Sequence, residues 1–126
     1  MNTVKSENKV FSLPLYKTLQ KLIVDNTNIV SNMKREYKDF LGIDSNQSLL
    51  SCLKIFKNAF YEQDLNKRLT ILFELKNKLL DYEIVLRLFN DCKLCSIKQQ
   101  ALLMETYANI CLQLNGWIDK TSQKIK

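Results

Sequence analysis

The stretch from Ser96 to Thr121 constrains the fold most, because its apolar residues recur at helical spacing along two stripes. The stripes are Ile97, Ala101, Met104, Ala108, Cys111 and Ile118, and Leu103, Tyr107, Ile110, Leu114 and Trp117. Steps of three and four residues keep each stripe on one side of an α-helix, and two adjoining stripes make an apolar arc wider than a single seam. Such a helix needs packing partners on more than one side.

Helix-start signals divide the rest of the chain. Ser96 with Gln99 forms a capping-box pattern, in which each side chain pairs with the backbone N–H of the other residue. Asp64 is a typical N-cap before the leucine-rich segment that follows it. Two further signals stand earlier in the chain, namely Pro14 for a first turn and Asp44 with Gln47 for a capping pattern. The four signals predict four helices.

A near absence of helix breakers favours long helices, since the 126 residues include only two glycines and one proline. The expected helices run from Pro14 to a stop at Gly42, from Ser45 to Gln63, from Asp64 through Phe89, and from Ser96 onward. The segment from Ile84 to Phe89 is apolar on nearly every side, so we expect it to be more buried than the first half of its helix. Short connections make neighbouring helices antiparallel, which predicts an all-α, up-down-up-down four-helix bundle.

Length and composition bound the domain organisation. A chain of 126 residues is ordinary for one domain, which we expect over residues 13–122. Residues 1–12 lack periodicity and are expected to form a mobile tail, and residues 123–126 a short basic tail. The apolar runs are only a few residues long and the first dozen residues are polar, so we expect no membrane span, no signal peptide and a cytoplasmic location.

One polar residue interrupts the apolar seam of the first helix. Asn26 lies in line with Leu22 and Ile29, where the pattern predicts an apolar side chain. A buried polar residue can set the register of helix packing, whereas a partly solvated position is the more common explanation. The sequence leaves both interpretations open.

Two large aromatic residues of the last helix favour a subunit interface. Tyr107 and Trp117 lie on the stripe that we assign to a neighbouring subunit, because amphipathic rings are common at protein interfaces. The last two helices also carry more apolar residues than one small bundle needs. The alternative is that both rings widen the core of the protomer.

The formal net charge of +6, from 19 basic and 13 acidic residues, favours a polyanionic or acidic partner. Several cations have an acidic residue one turn away, which predicts internal ion pairs: Lys21 with Asp25, Arg35 with Asp39, Lys78 with Glu74 and Asp81, and Arg87 with Glu83 and Asp91. Lysines that lack such a neighbour, among them Lys98, are the better candidates for phosphate contacts. The contacts that we assign are Lys17, Lys34, Lys38, Lys54, Lys57 and Lys76.

Some of these lysines lie together on one helix face. Lys54 and Lys57 share an exposed strip with Tyr61, and Lys34 with Lys38 makes a second pair. Lysines hold phosphates without reading the sequence, and an aromatic ring stacks on an unpaired base. The strips are therefore candidate RNA contacts, and the alternative is an ordinary solvated helix face.

The sequence contains no catalytic constellation. It has no histidine, the side chain that most often transfers protons near neutral pH. Cys92 and Cys95 form a CxxC, but a zinc site needs four ligands, and Cys111 lies too far along its helix to join them. Glycine-rich phosphate loops and hydrolase motifs are also missing. We expect no enzyme, no metal and no cofactor.

Four segments, taken in order, resemble one protein family. They are Leu13-Pro14-Leu15-Tyr16-Lys17, the leucine-rich helix from Lys67-Arg68-Leu69 to Leu86-Arg87-Leu88, the Ser96-capped last helix, and Leu114-Asn115-Gly116-Trp117-Ile118. Together they are similar to the accessory variability (Avd) proteins of diversity-generating retroelements, over residues 13–120. The chain departs from that family at Asn115 and Phe89, where its members often have smaller residues.

The resemblance implies a four-helix protomer in a homopentameric ring, bacterial or phage-encoded, whose basic surface binds the reverse transcriptase and its template RNA or cDNA. The implied role is non-enzymatic support of mutagenic retrohoming. Arg68 and Arg87 match arginine positions of the family and are expected to be structural or interfacial, and the candidate interface residues are Arg87, Tyr107 and Trp117. The alternatives are a four-helix protein of the ribosomal RNA intervening-sequence type, or a structural oligomer whose partner is only protein.

Overall fold

The structure is a computed structural model that describes residues 9–125, and within them it contains helices and no β-strand. The four long helices are α1 (Pro14–Ser31), α2 (Ile43–Tyr61), α3 (Leu65–Asp91) and α4 (Ile97–Ile125). A 3-10 turn, Val10–Ser12, precedes α1, while an α-helical turn, Arg35–Tyr37, and a π-helical segment, Lys38–Gly42, lead directly into α2. The prediction of an all-helical fold with four packed helices is confirmed.

Each helix packs against two neighbours, in the order α1, α2, α3, α4 and back to α1. Contacts between opposite ends of the helices show that successive helices run antiparallel. Arg68, in the first turn of α3, donates to the carbonyl of Glu62 just after α2 (2.9 Å). Gln113, late in α4, donates to the hydroxyl of Thr18, early in α1 (2.9 Å). Connections of only a few residues between helices favour this arrangement.

Three of the four helix starts follow the predicted chemistry. The N–H of Gln99 donates to Ser96 Oγ (3.0 Å) and the N–H of Ser96 donates to Gln99 Oε1 (2.9 Å), which completes the capping box of α4. Asp64 accepts from the N–H of Lys67 (3.1 Å) as the N-cap of α3. Pro14 is the first residue of α1, a position at which a backbone N–H has no acceptor within the helix, so its absence in proline costs no hydrogen bond. These local signals are confirmed.

The first boundary is predicted wrongly, because Gly42 does not stop a helix. α1 ends at Ser31, and the chain is helical again from Arg35 through Gly42 into α2. A Cβ atom on Gly42 would lie 2.7 Å from Cγ1 of Val30, so the glycine lets α1 and the segment before α2 approach closely. Its small size serves packing between helices rather than a turn.

The capping pattern of Asp44 with Gln47 is also wrong. α2 has no side-chain cap at its first residue, because the π-helical segment before it already supplies carbonyls to its N–H groups. A cap stabilises a helix only where N–H groups lack a partner, and this position lies inside a continuous helical run. Both side chains are exposed.

Apolar residues at helical spacing on α1, α2 and α3 form most of the core, together with Met33 just after α1. The buried helix residues include Leu15, Leu19, Leu22, Ile29, Leu49, Phe56, Leu72, Leu75, Leu79, Tyr82, Leu86 and Phe89. Val85, Leu86 and Phe89 are buried, so the segment from Ile84 to Phe89 is more buried than the first half of α3, as expected. Ile84 is nevertheless 56 % exposed, and Leu88 is also exposed. The reason is that the long helices packed along α3 are α2 and α4, which leaves an apolar stripe on its outer face.

Asn26 is fully buried, so the solvated interpretation of this position is wrong. Its Nδ2 donates to Ser45 Oγ (2.8 Å) and Asn46 Oδ1 (2.9 Å), and its Oδ1 accepts from the hydroxyl of Tyr82 (2.9 Å). These four residues, which we call the polar network, join α1, α2 and α3. An unpaired polar group at this depth is costly, so the network favours one arrangement of the three helices.

Tyr107 lies in the core of the protomer, which corrects its assignment to a subunit interface. Its buried ring lies 6.0 Å from that of Tyr82, between centroids, and its hydroxyl donates to the carbonyl of Leu79 (3.0 Å). The stripe of α4 that contains Tyr107 faces the neighbouring helices. Much of the other stripe faces outward, since Ile97 is 88 % exposed and Ala108 is exposed. Spacing alone does not distinguish which of two apolar stripes faces the core.

Helical residues extend beyond residues 13–122, the predicted limits of the domain, at both ends. Val10 is buried in the core cluster and its 3-10 turn packs on α1, so the end of the predicted tail is ordered here. Residues 1–8 of that tail lie outside the described residues. α4 continues through Gln123 to Ile125, and Lys126 also lies outside. Within residues 9–125, none of the helices has the length and apolar character required to cross a bilayer.

Candidate nucleic-acid interface

The net charge of the bundle is concentrated at one end. Residues 9–22, 52–77 and 111–125, which we call the basic half, carry ten basic and four acidic side chains, a net charge of +6. Residues 23–51 and 78–110, which we call the neutral half, carry seven basic and eight acidic side chains, a net charge of −1. The antiparallel helices bring the parts of each half together, so a polyanion is attracted to one end of the bundle.

A cleft of about 220 Å³ lies in the basic half, between the Val10–Ser12 turn and α2. Lys54 and Lys57 line it as predicted, together with Tyr61. The structure adds two rings from the N-terminal side, Phe11 and Tyr16, whose centroids are 5.3 Å apart. We call this site the aromatic–lysine cleft. It places two cations beside Phe11, which is 56 % exposed.

The local sequence explains why Phe11 is held at this surface. Val10 is buried, and its carbonyl accepts from the N–H of Leu13 (3.3 Å), which closes the turn before α1. Phe11 is thereby directed outward next to the first turn of α1. Sequence reasoning misses Phe11 because it interprets residues 1–12 as a tail, and it gives Tyr16 no role beyond the family resemblance. The signal that points to Phe11 is the apolar pair Val10 and Phe11, which interrupts a largely polar segment.

The remaining candidate lysines of the basic half lie on other faces. Lys17 lines a groove of about 630 Å³ between α1 and α4, beside Glu105. Lys76 lies on α3 near Cys111 of α4, where its charge partly offsets the burial that raises the pKa of that thiol. Because α3 and α4 are on the far side from the contact of α1 with α2, Lys76 does not join the aromatic–lysine cleft.

Lys34 and Lys38 lie in the neutral half. Lys34 is exposed immediately before the helical turn Arg35–Tyr37. Lys38 is half-buried, and its Nζ donates to the carbonyl of Ser31 (3.1 Å), so it stabilises the end of α1. The structure therefore does not bring this pair together with Lys54 and Lys57.

Four of the predicted ion pairs form within residues 9–125. They are Lys21–Asp25 (2.8 Å), Arg35–Asp39 (3.5 Å), Lys78–Asp81 (3.8 Å) and Arg87–Glu83 (2.6 Å). Arg87, the remaining charged interface candidate, is exposed in this pair on α3. Three of the four pairs lie wholly in the neutral half, and the fourth, Lys21–Asp25, joins the two halves, so ion pairs neutralise little of the charge of the basic half.

A larger groove of about 660 Å³ opens at the end of the basic half, and we call it the end groove. Three of the segments that carry the family resemblance converge on it, through Pro14, Arg68 and Trp117. Trp117 is half-buried against Phe56, with ring centroids 5.8 Å apart, so it borders a groove in its own protomer. Lys120 adds a second cation to the lining, which no sequence pattern indicated.

The cysteines are dispersed over the fold. Burial raises the pKa of the Cys52 thiol to about 12, whereas Cys92 is exposed. Cys95 is half-buried, and its Sγ donates to Gln100 Oε1 (3.1 Å). Among residues 9–125 no three cysteines or acidic residues come close enough together to hold a metal ion.

No family model, curated protein or solved structure matches this chain. Its function is therefore inferred from the residues and from the geometry of the bundle.

Proposed function

We propose that this protein is a non-enzymatic RNA-binding protein, and that its aromatic–lysine cleft holds phosphates together with an unpaired base. The observation that carries this proposal is the juxtaposition of Lys54 and Lys57 with the exposed ring of Phe11. The lysines attract phosphates from a distance and position the strand, and the ring offers a face on which any base stacks.

Three features support single-stranded or looped RNA over a duplex. The cleft is small and lined by rings, which suits a base that is already unstacked. Lys54 and Lys57 share one strip of α2, which suits one strand of phosphates. The neutral half has a net charge of −1, so it adds little attraction for a long duplex that extends beyond the basic half.

The wider role that we propose is that of an accessory protein of a diversity-generating retroelement. In this role it binds the reverse transcriptase and the template RNA or cDNA, in the cytoplasm, and supports mutagenic retrohoming. The support is the resemblance of four segments to that family, three of which meet at the end groove. A homopentameric ring, which the resemblance implies, would repeat the basic half around its axis and strengthen its field.

A second candidate is a structural oligomer with a protein partner only. The observation that favours it is the apolar stripe on the outer face of α3, formed by Phe73, Leu80 and Ile84, each about half exposed. Arg87 lies on the same helix and suits the rim of an interface. An oligomer of this kind is compatible with RNA binding, so the two candidates differ only in whether RNA binds.

Fluorescence anisotropy of a labelled stem-loop RNA, titrated at several salt concentrations, tests the proposal. We expect the logarithm of the affinity to fall linearly with the logarithm of salt concentration. Phe11→Ala is expected to weaken loop binding by about 1–3 kcal/mol, because a stacking face is lost. Phe40→Ala is the matched control, since Phe40 is exposed in the neutral half. No binding at low salt, or equal losses in both variants, would contradict the proposal.

A further inference from the structure

We infer that the end groove binds an acidic segment of a partner protein, which inserts a large apolar side chain and places carboxylates against Arg68 and Lys120. This inference rests on the end groove alone and is independent of RNA binding at the aromatic–lysine cleft. The two sites lie on different faces of the basic half and differ in their chemistry.

The walls of the end groove are mainly apolar. Leu13 and Leu15 come from the start of α1, Phe56 and Phe60 from α2, and Leu112 from α4. Leu112 is 73 % exposed, so its side chain stands open to solvent at the edge of the groove. A volume of about 660 Å³ is large enough for a bulky side chain and part of its backbone. Burial of such a side chain removes apolar surface from water on both partners.

The charged residues that line the groove are both basic, which determines the chemistry of the occupant. Arg68 Nε donates to the carbonyls of Ala59 (3.1 Å) and Glu62 (2.9 Å), so its guanidinium is fixed in place. Its two Nη groups form no hydrogen bond or ion pair within residues 9–125, and a fixed planar fork of this kind suits a carboxylate. Lys120 is exposed and adds a second positive charge.

A peptide fits these features better than a nucleic acid does. An amphipathic acidic segment alternates carboxylates with apolar side chains, so it satisfies both the cations and the walls. A nucleic acid presents phosphates, sugars and flat bases, which cover the branched side chains of Leu13 and Leu112 less completely than an inserted apolar side chain does. Gln113 is the uncharged polar side chain of the lining, and it already donates to Thr18.

Gly116 keeps the groove open. A Cβ atom at this position would meet no heavy atom within 4 Å, so the glycine borders open space rather than a packed neighbour. A large side chain here would occupy the groove without displacing a wall. The next residue, Trp117, is the single tryptophan of the chain and lines the same groove, so its fluorescence reports on occupancy.

The test is titration of the full chain with a synthetic peptide of about twelve residues that alternates glutamate with leucine and phenylalanine, followed by Trp117 emission. We expect a saturable change in emission, and no saturable change with a peptide in which glutamine replaces glutamate. Gly116→Leu is expected to abolish the change while its helical circular dichroism and its RNA affinity stay as in the parent protein.

Two charge variants on α4 separate a specific contact from general attraction. Lys120→Glu is expected to weaken peptide binding by about tenfold or more, because Lys120 lines the groove. Lys124→Glu, which changes the net charge equally but does not line the groove, is expected to have a much smaller effect. Equal losses in the two variants would overturn the inference, as would the absence of saturable peptide binding. The inference would also be overturned if RNA displaced the peptide and produced the same change in Trp117 emission. Loss of RNA binding with intact peptide binding would instead overturn only the proposed function.

Discussion

In the neutral half, Asn26 joins α1, α2 and α3 through directional hydrogen bonds, whereas in the basic half the helices meet through aromatic rings. The rings of Tyr16, Phe56 and Trp117 follow one another from α1 across α2 to α4, with centroids 6.5 Å and 5.8 Å apart. Each buried polar side-chain atom of the network has a partner, and α1 packs closely on the segment before α2 at Gly42.

The difference leads us to expect that stability and the proposed binding depend on different halves of the bundle. Hydrogen bonds depend on direction, so the polar network disfavours other helix registers. The ring pairs of the basic half are edge-on or tilted, and both the aromatic–lysine cleft and the end groove lie among these rings. We therefore expect substitutions in the neutral half to change mainly the free energy of unfolding, and substitutions in the basic half to change mainly binding.

The largest stability effect is expected at the centre of the polar network. Asn26→Ala leaves the hydroxyl of Tyr82 without its acceptor and creates a cavity at a fully buried position, so we expect a loss of about 3 kcal/mol. Tyr82→Phe removes only one hydroxyl and is expected to cost about 1–2 kcal/mol. Urea denaturation measures both values. A loss below about 1 kcal/mol for Asn26→Ala would mean that the network does not hold the neutral half together.

The ring chain of the basic half is expected to contribute less to stability. Trp117→Ala removes a half-buried ring that packs on Phe56, so we expect a loss of about 2 kcal/mol, below the cost for a fully buried tryptophan. Thermal melting gives this value, and light scattering of the same sample gives the mass. A drop in mass without a change in melting temperature would place the ring at a subunit interface instead.

The two glycines allow the packing of the two halves to be compared directly, because one glycine lies in each half. Gly42→Ala is expected to destabilise the protein by about 1 kcal/mol, since Val30 is buried and β-branched and cannot easily turn away from the added methyl group. Gly116→Ala is expected to stabilise it by about 1 kcal/mol, because alanine favours the helix and the methyl group meets open space. Stabilisation by both variants, measured by urea denaturation, would contradict the assignment of close packing to the neutral half.

The smallest effect is expected at the turn between α3 and α4. Lys93 has a φ of 56°, and the N–H of Leu94 donates to the carbonyl of Phe89 (2.8 Å), which is the bonding pattern of a Schellman turn. Glycine adopts this backbone conformation without strain, so Lys93→Gly is expected to stabilise the protein by about 0.5 kcal/mol. Lys98→Gly in the first turn of α4 is the control and is expected to destabilise it.

The parts of the fold that could be predicted from the sequence depend on neighbouring residues. The Ser96–Gln99 box, the Asp64 cap and the Pro14 start are contacts within one turn, and spacing alone finds them. The role of Gly42 could not be found in this way, because the atom that requires it belongs to Val30 of another helix.

The candidate site could be predicted only in part, because its residues come from segments that are distant in the sequence. Lys54 and Lys57 follow from spacing on one helix, but Phe11 reaches them from a segment more than forty residues earlier in the sequence. The two apolar stripes of α4 were found, yet which of them faces the core depends on where α1 and α3 pack. Tyr107 was therefore placed on the wrong side.

The most direct test of the division between the halves is to compare two matched double variants for binding of the stem-loop RNA. Lys54→Glu with Lys57→Glu alters the aromatic–lysine cleft, and Lys34→Glu with Lys98→Glu makes the same change of charge at exposed positions of the neutral half. We expect the Lys54/Lys57 variant to weaken RNA binding by about tenfold or more at 0.1 M salt, and to reduce the slope of log affinity against log salt concentration by about 1.4. We expect the Lys34/Lys98 variant to leave the affinity and the slope nearly unchanged. Equal weakening by the two variants would show that RNA responds only to net charge, and would contradict a binding site in the basic half.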